Sequence, residues 1–157
     1  RFPGLTLTLL GEVGAVNRTV ISQQELDGWV AEGLLSHAGH CSDVRPFIAA
    51  ADAVILPSYR EGMPRALLEA AAMARPLLAA DVPGCREIVR DGQNGLLFEV
   101  RSEEALAAAI ERLVSAGPAQ RRAWASRSRE IAEREYDERL VIEAYRSAVI
   151  ALSGKDG

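Results

Sequence analysis

Short apolar segments alternate with segments of helical periodicity along most of the chain. Five apolar segments have the length of β-strands, and they cover residues 5–10, 34–39, 53–57, 76–81 and 95–100. Apolar runs of this length, separated by helices, are typical of strands in a parallel sheet that is covered on both faces. The pattern therefore predicts a doubly wound α/β domain.

Helix start signals lie between the predicted strands. Ser22 to Glu25 reads as a capping box that opens a helix to about Gly33, and Ser42-Asp43 predicts a second helix to about Ala51. Pro64 suits the first turn of a third helix, because its missing N–H is not needed there. Four further helices are predicted after Pro83, from Ser102 to before Gly117, over residues 119–135 and over residues 137–152.

The composition is that of a globular protein with one core, and it disfavours one class of partner. The chain has 157 residues, of which 48% are apolar, so we expect a single domain. Its 18 basic and 22 acidic residues give a formal charge of -4, and the two signs are interspersed. A nucleic-acid partner is disfavoured, because such proteins usually carry a basic face.

The two cysteines and the lack of long apolar runs indicate the cellular compartment in which the protein is expected. Cys41 and Cys85 have no CxxC spacing and no neighbouring cluster of histidines, so we expect free thiols and no metal site. No apolar run approaches the roughly 18 residues that a membrane span needs. We therefore expect a cytoplasmic protein, and peripheral contact with the inner face of a membrane stays open.

The segment after the third predicted strand, SYREGMPRALLEA, is the strongest candidate site. In a parallel sheet, ligands bind beyond the carboxyl ends of the strands, where Ser58 to Met63 lie. Amide groups around Gly62 and Met63 would face an anion at the start of the helix, and glycine permits close approach. Arg65 adds a positive charge.

Glu61 and Glu69 are eight positions apart, which limits the chemistry they can share. At about 1.5 Å per helical residue, their carboxylates should be around 10 Å apart, too far to share a proton. Glycosidase carboxylates are separated by roughly 5 to 9.5 Å, so an acid and nucleophile pair is disfavoured. Two carboxylates at this separation suit a nucleotide diphosphate sugar, which has hydroxyls at both ends. The alternative is that Glu61 caps the turn and Glu69 is a solvated helix residue.

The residues EGMPRALLE, Glu61 to Glu69, also resemble the E-x7-E signature of retaining GT-B glycosyltransferases of group 1, family 4. The resemblance is most specific over residues 51–100, and the variant SYREGMPR with DVPGCREIV is similar to bacterial members. It implies a Rossmann-like sheet, one half of a GT-B fold, with C-terminal helices. It also implies transfer of a hexose or N-acetylhexosamine from a UDP-sugar to a lipid-linked or polysaccharide acceptor, without a metal or other cofactor.

The resemblance assigns roles to individual residues. Glu69 would hold the ribose hydroxyls, and Glu61 would face the donor sugar or the transition state. The backbone of Gly62 and Met63 would contact sugar hydroxyls and the pyrophosphate. By the same resemblance, the turn from Gly39 to Cys41 would face the base, and the turn from Val82 to Gly84 would border the cleft. Ser58 and Arg65 are further substrate-binding candidates because of their place around the turn and the charge of Arg65.

One departure from the family pattern concerns how the sheet is completed. The Arg and Lys that grip the diphosphate in the family would precede Arg1, on a strand between those predicted at residues 5–10 and 53–57. We therefore expect residues 1–152 to form a donor-binding domain without its first strand or the N-terminal acceptor domain, and residues 153–157 to be a frayed tail. A longer chain, shifted pairing or self-association would satisfy the two open strand edges. We expect the isolated chain to bind donor without efficient transfer.

Two other functions stay open. Gly11 and Gly14 follow a strand, as in an NAD-binding domain, but the G-x-G-x-x-G pattern is incomplete. A non-catalytic scaffold is the other alternative, because residues of the last two helices form an apolar stripe that could bind a partner. His37 and His40 lack a third ligand nearby in sequence and are expected to make ordinary polar contacts.

Overall fold

The computed structural model describes residues 4–13 and 21–153. It divides into two compact units, Arg1–Val44 and Arg45–Gly157, which are described separately. Gly14 and the tail from residue 154 lie outside the described residues. Ser153, predicted to belong to that tail, is instead the last residue of a helix.

The first unit contains a small parallel sheet and one helix. Strands β1 (Thr8–Leu9) and β2 (Ser36–His37) pair in parallel. Helix α1 (Gln23–Ala31) begins with the predicted capping box: the Ser22 hydroxyl accepts from the amide of Glu25 at 3.2 Å, and the Glu25 carboxylate accepts from the amide of Ser22 at 2.9 Å. Among the described residues of this unit, Leu26 alone is buried.

The second unit contains a three-stranded parallel sheet of β3 (Val54–Leu56), β4 (Leu77–Ala80) and β5 (Gly95–Phe98), in that order. The central strand β4 is buried at every position, as expected when both faces of a parallel sheet are covered. The helices of this unit are α2 (Arg45–Ala50), α3 (Arg65–Ala72), α4 (Pro83–Ile88), α5 (Glu103–Ser115), α6 (Pro118–Glu135) and α7 (Glu138–Ser153).

The core of the second unit joins the sheet to its covering helices. Leu78 and Ala80 of β4 share one cluster with Leu113 of α5 and Trp124 of α6. Leu67, Ala70 and Ala71 form the buried face of α3, which contacts β3, β4, α4 and α6. Helix α3, which follows the candidate site, is therefore held by the sheet and by two other helices.

The predicted mixed α/β fold with parallel strands is confirmed. The strands are shorter than their apolar segments, and they form two sheets rather than one. Helix α2 begins at Arg45, within two residues of the start that the Ser42-Asp43 pair predicts, and Pro46 lies in its first turn. In the described sheets β1 pairs only with β2 and β3 only with β4, so each has one edge without a described partner strand. How these edges are completed stays a prediction.

Helix α7 exposes its apolar side chains. None of its residues is buried, and Val141, Tyr145 and Leu152 are each more than half exposed. Even so, no helix among the described residues combines the length and the apolar character required to cross a membrane.

Candidate functional site

The segment from Ser58 to Met63 lies between the carboxyl end of β3 and the start of α3. Ser58 and Glu61 are half-buried, whereas Gly62 and Met63 are exposed. We call residues 61–63 the glutamate turn. Because strand ends of this kind face the ligand in parallel α/β folds, the turn presents one carboxylate and several amides at the expected edge of the sheet.

The observed start of α3 adds two donors that the sequence did not indicate. Pro64 is the N-cap and makes no side-chain capping bond, so the first helical amides belong to Arg65 and Ala66. The first amides of a helix have no carbonyl partner in a preceding turn, and the helix dipole favours an anion there. Both residues are exposed, and their amides extend the donor set predicted at Gly62 and Met63.

Gly84, in the first turn of α4, lies directly against the glutamate turn. A methyl group built on Gly84 would lie 2.7 Å from the carbonyl carbon of Glu61, and closer still to the carbonyl oxygens of Glu61 and Gly62. No other residue type fits without moving one of the two backbones. Gly84 therefore contacts the predicted site through its backbone.

The neighbours of Gly84 carry the charges of this region. Burial, followed by the negative charges of Glu61 and Asp81, raises the pKa of the Cys85 thiol to about 11. Arg86 donates from Nε to Asp81 Oδ1 at 2.5 Å, and this bond lowers the pKa of Asp81. Cys85 is fully buried and neutral at ordinary pH, which is the state of a packed thiol rather than of a nucleophile.

A cleft of about 770 Å³ lies beside the exposed face of α3. Arg65 and Glu69 line it from α3, and Tyr136, Asp137 and Arg139 line it from the junction of α6 with α7. The Glu69 side chain is 41% exposed, and its Oε1 is 3.6 Å from Nη2 of Arg65. The volume is within the range of about 300 to 1,000 Å³ that is usual for small-molecule sites.

The predicted site residues thus fall into three groups. In the first group, Ser58 lies just before the glutamate turn, and Gly84 packs against that turn. In the second group, Arg65 and Glu69 line the cleft. Gly39 and Cys41 belong to the first unit, where the Gly39 carbonyl accepts from the amide of Gly11 at 2.9 Å and the Cys41 thiol donates to the Asp43 carbonyl at 3.0 Å. Their predicted contact with a base stays a prediction.

A cation-π pair at the same edge of the sheet was missed from the sequence. The guanidinium carbon of Arg101, after β5, lies 5.2 Å from the ring centroid of Tyr59, after β3. Arg101 has a φ of 64°, which non-glycine residues rarely adopt and which is enriched at functional sites. The sequence could have indicated this pair only through the predicted topology, because the loops that follow parallel strands meet at one edge of the sheet.

The two histidines make polar contacts within the first unit. His37 donates from Nε2 to the Gly11 carbonyl at 2.8 Å, and Nδ1 of His40 is 3.9 Å from the Glu12 carboxylate. Over the described ranges, no group of three or more His, Cys, Asp or Glu side chains could hold a metal ion.

Comparison with known proteins gives consistent matches. A family model described as "Glycosyl transferases group 1" matches residues 2–116. The lipopolysaccharide core biosynthesis glycosyltransferase LpsE of Rhizobium meliloti (strain 1021) is 31% identical over 145 residues, which are 92% of this chain and 42% of LpsE. Glycogen synthase of Mycobacterium tuberculosis (strain H37Rv) is 36% identical over 129 residues, which are 81% of this chain and 31% of the synthase.

A solved structure shares the fold. The crystal structure of Anabaena Alr3699/HepE in complex with UDP matches with a TM-score of 0.80 and 24% identity, over 97% of this chain and 42% of that chain. This chain therefore spans less than half of the length of each of these three proteins.

Proposed function

The chain belongs to the group 1 glycosyl transferases, and from this premise we propose that it binds the nucleotide-sugar donor of a glycosyl-transfer reaction. One observation carries the proposal. A half-buried glutamate lies in a glycine-containing turn between β3 and α3, and α3 presents a second glutamate to a cleft. Turns at the carboxyl ends of parallel strands are the ligand sites of this architecture.

Glu69 is proposed to hold the ribose. Its carboxylate is partly exposed in the cleft, and an ionised carboxylate can accept hydrogen bonds from two neighbouring hydroxyls. Arg65 lies one helical turn earlier with its side chain 89% exposed, so its guanidinium is available to the diphosphate.

The glutamate turn is proposed to hold the other end of the donor. Glu61 would face the sugar and the developing positive charge of the transition state, and the amides of residues 62, 63, 65 and 66 would bind the diphosphate. Helix N-termini favour anions, so this arrangement stabilises the leaving diphosphate without requiring a metal ion. Ser58 is half-buried beside the turn and would add a hydroxyl contact.

The finer substrate assignments are part of the same proposal. We propose a UDP-linked hexose or N-acetylhexosamine, transfer with retention to a lipid-linked or polysaccharide acceptor, and work at the cytoplasmic face of a membrane. The HepE structure in complex with UDP supports the choice of nucleotide, and the lipopolysaccharide role in the name of LpsE supports the class of acceptor. By itself, this chain is proposed to bind donor without efficient transfer.

A titration of the chain with UDP, followed by amide-resolved NMR, tests the proposal. UDP should shift the amides of residues 58–69 and 82–84, and GDP and NAD at equal concentration should shift them less. Glu69→Ala should weaken UDP binding roughly tenfold or more, because a hydrogen-bonded charged contact is worth about 1.5 to 3 kcal/mol.

Glu111→Ala is the matched control, since Glu111 is an exposed glutamate on α5 that does not line the cleft. It should bind UDP like the unchanged chain. Absence of any UDP-dependent shift, or equal losses in the two variants, would refute the assigned site.

A further inference from the structure

At Gly84, the backbone of α4 packs directly against the backbone of the glutamate turn. Its Cα has no room for a side chain, because the carbonyl groups of Glu61 and Gly62 occupy that space. Gly62 itself has nothing within 4 Å of the position where its own Cβ would lie. Position 84 on α4 therefore requires glycine, whereas position 62 in the glutamate turn has space for a side chain.

Helix α4 is fixed from its far end. The Tyr136 hydroxyl donates to the Glu87 carbonyl at 2.5 Å, and Arg90 donates from Nη1 to the carbonyls of Arg86 and Glu87 at 2.7 and 2.6 Å. The same guanidinium donates from Nη2 to the Glu135 carboxylate at 2.9 Å. These bonds tie the end of α4 to the end of α6, so α4 resists displacement as a body.

The turn opposite α4 has more freedom to move. Gly84, Cys85 and Ile88 are buried, whereas Gly62 and Met63 are exposed. A group added at position 84 would therefore push the glutamate turn outward into solvent rather than push α4 into the core. The negative charge of Glu61 also contributes to the raised pKa of Cys85, which indicates that the Glu61 carboxylate lies close to the first turn of α4.

We propose that Gly84 is a positioning residue for the donor site. Because it lacks a side chain, α4 supports the carbonyls of Glu61 and Gly62, and this contact sets where the Glu61 carboxylate and the Gly62 amide meet the sugar and diphosphate of the donor. Gly84 thus acts through the turn rather than by touching the ligand. The identity of the ligand rests on the function proposed above, whereas the packing does not.

The test uses Gly84→Ala in the whole chain, with amide NMR and two ligands, UMP and UDP-glucose. The amide signals of residues 61–63 should move. Affinity for UDP-glucose should fall roughly tenfold or more, while affinity for UMP should change by less than about twofold. A split of this kind is expected because UMP lacks the second phosphate and the sugar, which the proposal places at the glutamate turn, but keeps the ribose that it assigns to Glu69.

Two controls separate positioning from general destabilisation. Gly117→Ala adds the same methyl group where nothing lies within 4 Å, and it should change neither the turn signals nor either affinity. Leu113→Ala removes a buried core side chain and should lower stability without moving residues 61–63. Equal losses of both ligands in Gly84→Ala, or unmoved turn signals, would overturn the positioning role.

Two further results remain decisive. If the unchanged chain binds neither UMP nor UDP-glucose, the proposed function fails. The positioning role is then tested only by whether Gly84→Ala moves the amide signals of residues 61–63. If Gly84→Ala does not fold, Pro83→Gly replaces it, because it adds no atoms against the turn and loosens the first turn of α4. Pro83→Gly should shift the same three amides, and unchanged signals would overturn the proposal.

Discussion

Asn94 illustrates how a single buried polar residue holds a turn in this chain. It is fully buried between α4 and β5, its Oδ1 accepts from the amide of Arg90 at 2.7 Å, and its Nδ2 donates to the Ile88 carbonyl at 3.0 Å. The Ser128 hydroxyl of α6 donates to the Asn94 carbonyl at 3.1 Å. The side chain therefore replaces backbone partners that the turn cannot provide itself.

Asn94→Ala should lower the free energy of unfolding by about 2 kcal/mol, because it leaves the part-buried Arg90 amide and the buried Ile88 carbonyl without this partner. Urea denaturation measures the change. The neighbouring Gln93 is exposed, so Gln93→Ala should stay within about 0.5 kcal/mol of the unchanged chain. Similar values for the two variants would contradict the role given to the buried amide.

At the same scale, the sequence could not distinguish Asn94 from Gln93, because both are amide residues beside a glycine. It could identify Glu61 and Glu69, since their spacing and the adjoining Gly-Met-Pro-Arg turn are visible in the chain itself. The contact of Gly84 with the glutamate turn and the stacking of Arg101 on Tyr59 depend on segments that meet only after folding. Interactions between distant segments leave no local pattern to read.

Among the helices, the end of α3 departs from the usual residue preference. The amide of Arg75 bonds to the Ala70 carbonyl at 3.0 Å and the amide of Ala74 to the Ala71 carbonyl at 2.9 Å, which is the Schellman arrangement. The residue that adopts the left-handed conformation there is Ala74, with a φ of 54°, where glycine is preferred.

Ala74→Gly should therefore raise the free energy of unfolding by about 0.5 to 1 kcal/mol. Relief of the left-handed strain, about 1 to 2 kcal/mol, exceeds the added chain entropy of glycine. Thermal and urea melts measure the change. Ala72→Gly, within α3, should instead destabilise by up to about 1 kcal/mol. A lower stability for Ala74→Gly would contradict this account.

Element order was predictable because it depends on local patterns. All five apolar segments contain a strand, and the capping box at Ser22, the other polar caps and the prolines mark helix starts to within a few residues. The strand lengths and the division into two sheets were not predictable in the same way, because they depend on which strand edges form hydrogen bonds with another strand.

For the chain as a whole, the two compact units differ sharply in how much they bury. In the described part of the first unit, each strand has two residues and Leu26 is the one buried residue. In the second unit, β4 is paired on both sides and buried along its length. Small two-stranded sheets are marginally stable, so the units should not open with equal free energies.

Hydrogen exchange at the amides of α1 and β4 measures this difference. The amides of α1 should exchange more than about a hundredfold faster than those of β4, because less buried surface opposes their opening. Leu26→Ala should remove the remaining protection of the α1 amides, because Leu26 is the one buried residue in the described part of the first unit. The protection of the β4 amides, which belong to the second unit, should not change. Equal protection of α1 and β4, or loss of β4 protection in Leu26→Ala, would mean that the two units unfold as one cooperative body.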